Sequence, residues 1–231
     1  MTTRFHNYYR RWLQRSYLKT LKVFPLRFEK IGSSYGGWFV PVDLIKANWI
    51  CYLGGVGEDI TFDLGLIERF NCQVFAFDPT PRAIRHVEEI GSVENFHFLA
   101  LGLWSSSEEL RFYVPKDPSH VSHSVTNLQD TEDYFVAKCD SVDGIMTNLG
   151  HQKLDLLKLD IEGAEHKVTA SFLQKNIFPK VICIEFDQPD TIFRMLKTHI
   201  RLHNKGYKLL YVDGWNLTFV HKRAILQTEK D

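Results

Sequence analysis

Nowhere in its 231 residues does the chain run for about 18 apolar residues, so the sequence offers no helix able to span a bilayer. The first thirty residues do not read as a secretory leader either, because charges interrupt every apolar stretch between Met1 and Lys30. Cysteine is sparse. Cys51, Cys72, Cys139 and Cys183 are widely spaced, with no CxxC pair and no metal-type grouping with histidine. That spacing excludes a zinc framework and reads as buried free thiols in a reducing, cytoplasmic setting. A complete GxGxxG fingerprint is also missing. Acid is almost absent from the first thirty residues, where Glu29 alone faces eight bases; the segment is +7 and the remainder −7. A body that acidic argues against nucleic acid as a partner, because backbone phosphates need a basic surface.

What is present suits one large globular domain with an N-terminal appendage. We place the boundary between a basic segment with a glycine-rich aromatic loop, 1–47, and a main domain, 48–231. Phe5, Tyr8, Tyr9, Trp12, Leu13, Tyr17, Leu18 and Leu21 give the basic segment an amphipathic helical pattern. Residues 1–30 could thus meet a membrane surface or a polyanion, or pack on the body's acidic surface. Next comes Gly32-Ser33-Ser34-Tyr35-Gly36-Gly37-Trp38, an ordered loop that either covers a ligand or simply connects.

From residue 48 the signals alternate. Strands are expected at 49–53, 74–77, 96–100, 110–114, 154–159 and 181–186, with a closing pair at 209–212 and 217–220 joined at Asp213-Gly214. Helices are expected at 59–70, 79–89, 139–149, 164–173 and 191–203, the second with Thr80 as N-cap and Pro81 at its first position. Alternation of this kind implies an α/β fold: a seven-stranded, mostly parallel, Rossmann-like sheet with helices on both faces and one antiparallel strand of edge type. The polar stretch 115–133 is the longest irregular segment.

In such a sheet ligands bind at the carboxyl ends of the strands. The first strand ends in Gly54-Gly55-Val56-Gly57-Glu58-Asp59, where glycines let backbone approach a bulky ligand. The acids that follow would repel a diphosphate but tolerate a cation. Asp78 ends the second strand, 21 residues beyond Gly57, where a carboxylate can accept both hydroxyls of an adenosine ribose. The plainer alternative for Asp78 is an acid favoured by a helix N-terminus. Along 154–162, Lys158, Asp160 and Glu162 share one side, and charges so deep in an apolar strand need a partner or a ligand. A structural Lys158–Asp160 or Lys158–Glu162 pair would also satisfy them. Asp160 with Glu185 or Asp187 could hold Mg²⁺ through oxygen ligands, although no metal is favoured. His120 and His123 lie in the long loop, and His123 could take a proton from an acceptor hydroxyl.

These residues resemble the FkbM-type methyltransferase family, a branch of the class I S-adenosylmethionine-dependent fold. Asp155-Leu156-Leu157-Lys158-Leu159-Asp160-Ile161-Glu162-Gly163-Ala164-Glu165 is similar to that family's "iDllKiDvEGaE". Val74-Phe75-Ala76-Phe77-Asp78-Pro79-Thr80-Pro81 resembles "vyaFEPnP", Ala100-Leu101-Gly102 resembles "nvALg", and Gly206-Tyr207 falls at the family's "GY". Tyr35-Gly36-Gly37-Trp38 looks like a stretch preceding the domain in one branch. Leu53 departs from the pattern, standing where the family's "DxGANxG" opens with an acid. The resemblance implies S-adenosyl-L-methionine as cofactor, held by Gly55, Val56 and Gly57, by Glu58 or Asp59 in place of the missing acid, by Asp78 and Pro79, and by Leu101. It implies O-methylation of a sugar, glycan or small metabolite, with Asp160 as first candidate base, His123 as second, and Glu162 orienting the acceptor. A nicotinamide-dependent oxidoreductase and a non-catalytic S-adenosylmethionine-binding module are the other readings.

Overall fold

A computed structural model describes residues 2–21, 23–114, 125, 131–186 and 192–228. The chain begins with α1 (Thr2–Leu18) and a hairpin of β1 (Glu29–Ile31) and β2 (Trp38–Val40). It then alternates through β3 (Ile50–Gly54), α2 (Thr61–Phe70), β4 (Gln73–Phe77), α3 (Pro81–Ile90) and β5 (Phe96–Leu99). Three strands follow, β6 (Gly102–Trp104), β7 (Glu108–Tyr113) and β8 (Tyr134–Ser141), leading into α4 (Val142–Leu149). Alternation resumes with β9 (Leu156–Leu159), α5 (Glu165–Gln174), β10 (Val181–Glu185) and α6 (Ile192–Asn204). The described chain closes on β11 (Tyr207–Asp213), β12 (Asn216–His221) and α7 (Lys222–Thr228).

Seven strands form the main sheet in the order β11-β12-β10-β9-β3-β4-β5. Strand order turns back at β3, which pairs in parallel with β4 on one side and β9 on the other. The switch point therefore falls between β3 and β9, and the carboxyl ends of these strands frame the crevice. β12 runs against both β10 and β11, so the reversed strand stands one place in from the edge and β11 forms the edge.

Apolar residues on both faces of each central strand make this sheet a two-sided core. In β9, Leu157 and Leu159 join Val168, Phe172 and Met195 of the helices on one face. Leu156 points the other way, to Trp38, Phe62 and Leu66. Period two thus sends the side of Lys158 toward α2 and the hairpin. On the far face Leu18 of α1 joins the core, and Tyr17 Oη meets His199 Nδ1 of α6 at 2.9 Å.

Some element boundaries differ from the expectations. Thr80 caps α3, accepting from the Ala83 N–H at 3.4 Å with Pro81 in the first turn, as the sequence indicates. The helix expected from 139 begins only at Val142, because Cys139, Asp140 and Ser141 pair with β6 and Ser141 then caps α4 through Gly144 N–H. The helix expected from 59 begins at Thr61, because the Asp59 carboxylate takes the Thr61 N–H at 3.0 Å and holds residue 59 outside the turn. All four cysteines are free and buried. Among the described residues no helix is long and apolar enough to cross a membrane, and no group of three or more His, Cys, Asp or Glu is placed to hold a metal ion.

Candidate active site

The loop after β3 must pass the tip of β9 at very short range. Gly55 sits at φ +78°, and a Cβ there would lie 1.7 Å from the carbonyl oxygen of Asp160. Only glycine fits both the conformation and the gap. Its N–H donates to Phe77 O at 2.9 Å, and Asp160 N–H donates to Gly54 O at 3.3 Å, which ties the tips of β3, β4 and β9 together.

Lys158 completes the stitch. Its Nζ donates to Gly55 O at 2.6 Å and Gly54 O at 3.4 Å, and lies 3.3 Å from Asp160 Oδ2. Burial works against the ammonium charge, but the charges of Asp160 and Asp63 outweigh it and hold the lysine above its ordinary value. Asp160, 31% exposed, also feels burial first; the Lys158 charge and a hydrogen bond with Glu185 overcome that and keep it below the carboxylate range. The sequence alternative of a Lys158–Asp160 pair is thus present, while Asp160 keeps one side open to solvent. Asp63 is buried on α2, with Oδ1 unpartnered among the described residues, and burial pushes it up to about 7 against the pull of Lys158.

At the end of β4, Asp78 is 5% exposed and built into the turn. Its Oδ2 accepts from Gly57 N–H at 3.0 Å, and its Oδ1 accepts from Thr80 N–H and Oγ1 at 2.8 and 2.6 Å. The glycine turn and the carboxylate therefore form one unit, as their spacing indicates. Gly57 lies at φ +59° with nothing within 4 Å of a built Cβ, so its outer side faces open space.

The two acids after Gly57 diverge. Glu58 points outward, with Oε2 2.6 Å from Arg82 Nη2. Asp59 turns to the hairpin: Oδ2 accepts from Ser33 Oγ at 2.6 Å and Gly36 N–H at 3.2 Å, and Oδ1 accepts from Thr61 Oγ1 at 2.6 Å. Burial would raise this carboxyl, yet the Ser33 and Thr61 hydrogen bonds hold it below its ordinary value. The glycine-rich stretch 32–37 is thus the tip of a hairpin locked onto the cleft, with Tyr35 85% exposed at its end. Leu53 is fully enclosed in the apolar core beside α2 and presents no polar group to the cleft.

After β9 the chain turns sharply. Glu162 occupies φ +55° and Gly163 φ +98°. A glutamate in the left-handed region is uncommon and marks a strained turn. Glu165 Oε1 supports that turn by accepting from Ile161 N–H at 3.0 Å and Gly163 N–H at 3.2 Å; burial nevertheless pushes its carboxyl up to about 8.

Between these elements lies a cleft of about 260 Å³ at the switch point. Gly55, Val56, Gly57, Glu58 and Asp59 line it, as do Asp78, Pro79, Asp160 and Glu162. Leu101 does not reach it; its neighbours Gly102 and Leu103 do, because Leu101 turns back to bond Leu99 O at 2.8 Å. His123, His120 and Asp187 lie outside the described residues. Trp38, which closes the glycine-rich stretch, lines the cleft from β2; sequence reasoning left out Phe112 and Asn216, which line it from β7 and β12. No local pattern in the sequence marks either of these two.

The Methyltransferase FkbM domain matches residues 62–209 of the chain. No curated protein sequence matches it significantly. Among solved structures, the Methanococcus jannaschii fibrillarin pre-rRNA processing protein is 14% identical over 88% of this chain and 86% of its own, with a TM-score of 0.43. A fibrillarin from Aeropyrum pernix with natively bound S-adenosyl-L-methionine is 10% identical over 87% and 84%, at 0.41. An rRNA methylase from Streptococcus thermophilus is 10% identical over 77% and 87%, at 0.40. With the domain matching well over half of its length, and with its signature turns gathered round one cleft, the chain belongs to the FkbM methyltransferase family.

Proposed function

We propose that this enzyme uses S-adenosylmethionine to methylate a hydroxyl of a sugar, glycan or small metabolite. One observation carries the reading. A buried carboxylate, Asp78, and a depressed one, Asp160, stand on neighbouring faces of a single cleft, with a glycine loop between them. The acceptor groups suit the cofactor at both ends: Asp78 Oδ2, which takes only the Gly57 N–H, keeps a site for one ribose hydroxyl, and the anionic Asp160 favours a cation. A cleft of about 260 Å³ falls just below the usual range for small-molecule sites, about 300–1,000 Å³.

Bound there, the cofactor supplies an already activated methyl carbon, so the chain's own work is alignment, which can contribute about 7–11 kcal/mol. The Gly54–Gly57 backbone, fixed by Lys158, sets the depth of the cleft. Asp160 suits a role different from the base that the sequence suggests. A carboxylate held below its ordinary range is a weak proton acceptor, and its charge instead attracts the cofactor's positive end. In this reading Glu162, on the strained turn that lines the cleft, receives a hydrogen bond from an acceptor hydroxyl. Hydroxyl acceptors rather than polynucleotides agree with the net acidity of the body.

Calorimetry and an S-adenosylhomocysteine-release assay test this together. Asp78→Ala and Asp160→Asn should each weaken cofactor binding by about tenfold or more, the loss of a charge-assisted contact. Glu162→Gln should leave binding unchanged and lower turnover on an accepted sugar by about 10²-fold, the low end for a lost proton acceptor. Binding of NAD(H) in place of S-adenosylmethionine would sink the reading; cofactor binding without transfer to any hydroxyl acceptor would reduce the chain to a binding module.

A further inference from the structure

We infer that the outer face of α1 docks the enzyme on an anionic membrane surface. The helix has two distinct faces. Gln14 and Leu18, four apart, turn inward, Leu21 packs inward just past the helix end, and Tyr17 bonds to His199 of α6. On the opposite side Tyr8, Trp12, Arg15 and Lys19 follow one another at i, i+4, i+7 and i+11, and all four are exposed. Tyr8 is 72% exposed, Trp12 55% and Tyr9 52%, with the Tyr9 and Trp12 rings stacked at 6.1 Å. The neighbouring helix α6 carries a similar stripe, in which Phe193, Lys197 and Ile200 are exposed.

Three large aromatics left in water beside bases require an explanation, because exposed rings of this size usually mark a contact surface. Tyrosine and tryptophan favour the headgroup layer, where the ring meets acyl chains and the polar tip stays wet. Charge selects the occupant. Between Met1 and Lys22 the sequence has six bases and no acid, whereas residues 31–231 sum to −7. An anionic surface therefore attracts this helix and repels the rest of the molecule, which fixes the orientation of docking. The helix also flanks the cleft end of the sheet: Arg15 lies 5.2 Å over the ring of Trp215, whose neighbour Asn216 lines the cleft. Docking on α1 brings the cleft toward the surface, suiting an acceptor carried on a lipid.

Cosedimentation of the full chain with vesicles tests this without reference to catalysis. Phosphatidylcholine vesicles containing about one part in three of phosphatidylserine should bind the protein at low salt and release it at high salt, while phosphatidylcholine alone should not bind it. Replacing Tyr8, Tyr9 and Trp12 by serine should weaken binding by about tenfold or more, because the apolar anchor is removed. Lys19→Gln should weaken it by about fivefold. These side chains are exposed, so an unchanged melting temperature separates lost docking from misfolding. Equal binding to neutral vesicles, or no loss in the aromatic variant, overturns the inference. So does tighter binding to a single-stranded RNA oligonucleotide than to vesicles, or self-association that disappears in the aromatic variant without any vesicle binding.

Discussion

Gly55→Ala and Gly57→Ala remove the same freedom two residues apart, and the structure predicts different outcomes. Both glycines sit at positive φ, so each substitution forces an L-residue into the left-handed region at about 1–2 kcal/mol. Both also shrink the unfolded ensemble, which returns about 0.4–1 kcal/mol in each variant and cancels in the comparison. The neighbours separate them. The new Cβ at 55 meets the backbone carbonyl oxygen of Asp160 at 1.7 Å, whereas at 57 nothing lies within 4 Å. A backbone oxygen cannot rotate away, so β3 and β9 must part, at a further cost of about 1–3 kcal/mol. For a chain of this size that difference corresponds to about 2–12 °C in melting temperature. Gly55→Ala should therefore melt clearly below Gly57→Ala, and should lose cofactor affinity as the Lys158 contact to Gly55 O is pulled out of register. Differential scanning calorimetry on both variants, with titration of S-adenosylmethionine, makes the check. Coincident melting temperatures would show that the β3–β9 junction yields freely, which would refute the idea of a rigid floor to the cleft.

Other expectations follow from the same geometry. Glu58→Gln should leave cofactor affinity within about twofold, since this carboxylate is already turned to Arg82 and an exposed pair contributes about 0–1 kcal/mol. Asp59→Asn should loosen the hairpin by about 1.5–3 kcal/mol, the range for hydrogen bonds to a charged group, and speed proteolysis at Lys30. Asp63→Asn should flatten the pH dependence of stability. A buried acid raised to about 7 keeps its proton on folding, so wild-type stability falls as pH rises from the ordinary carboxyl range to about 7, by at most about 4 kcal/mol at 1.36 kcal/mol per unit. The variant should therefore gain on the wild type above pH 7 in urea melts; parallel curves would place Asp63 in contact with water or a stronger partner.

Much of the architecture was readable because the physics that sets it is local. Apolar runs such as Val181–Ile184, and Leu156–Leu159 with Lys158 as its one charge, indicate strands buried on both faces, and Thr80-Pro81 indicates a helix start. The errors arose where two local signals competed. Residues 139–149 read as one helix, but pairing to β6 claims Cys139, Asp140 and Ser141 before the Ser141 cap can act. Asp59 resembles a helix-starting acid and instead, from a position before the helix, spends its oxygens on a hairpin 23–26 residues upstream and on Thr61, the helix's first residue. Pairings over that distance leave no periodic trace.

The same contrast applies to the site. Asp78 and Gly57 were legible as a pair because a strand, a turn and a helix start fix their separation, and the hydrogen bond between them at 3.0 Å follows. Asp160 was legible as a residue but not as a chemical species. Its position at the strand tip came from sequence, whereas its ionisation depends on Lys158 across a shared face and on Glu185 of the adjacent strand. Once those neighbours are counted, the carboxylate that its position suggests as a base is one held below its ordinary range, which is the ground for the cation-directing role we propose. The lysine that alters its role also holds the glycine loop in place, so fixing the floor of the cleft and setting its charge are one structural event. Lys158→Met should then disturb both together, and a variant that lost one and kept the other would separate them.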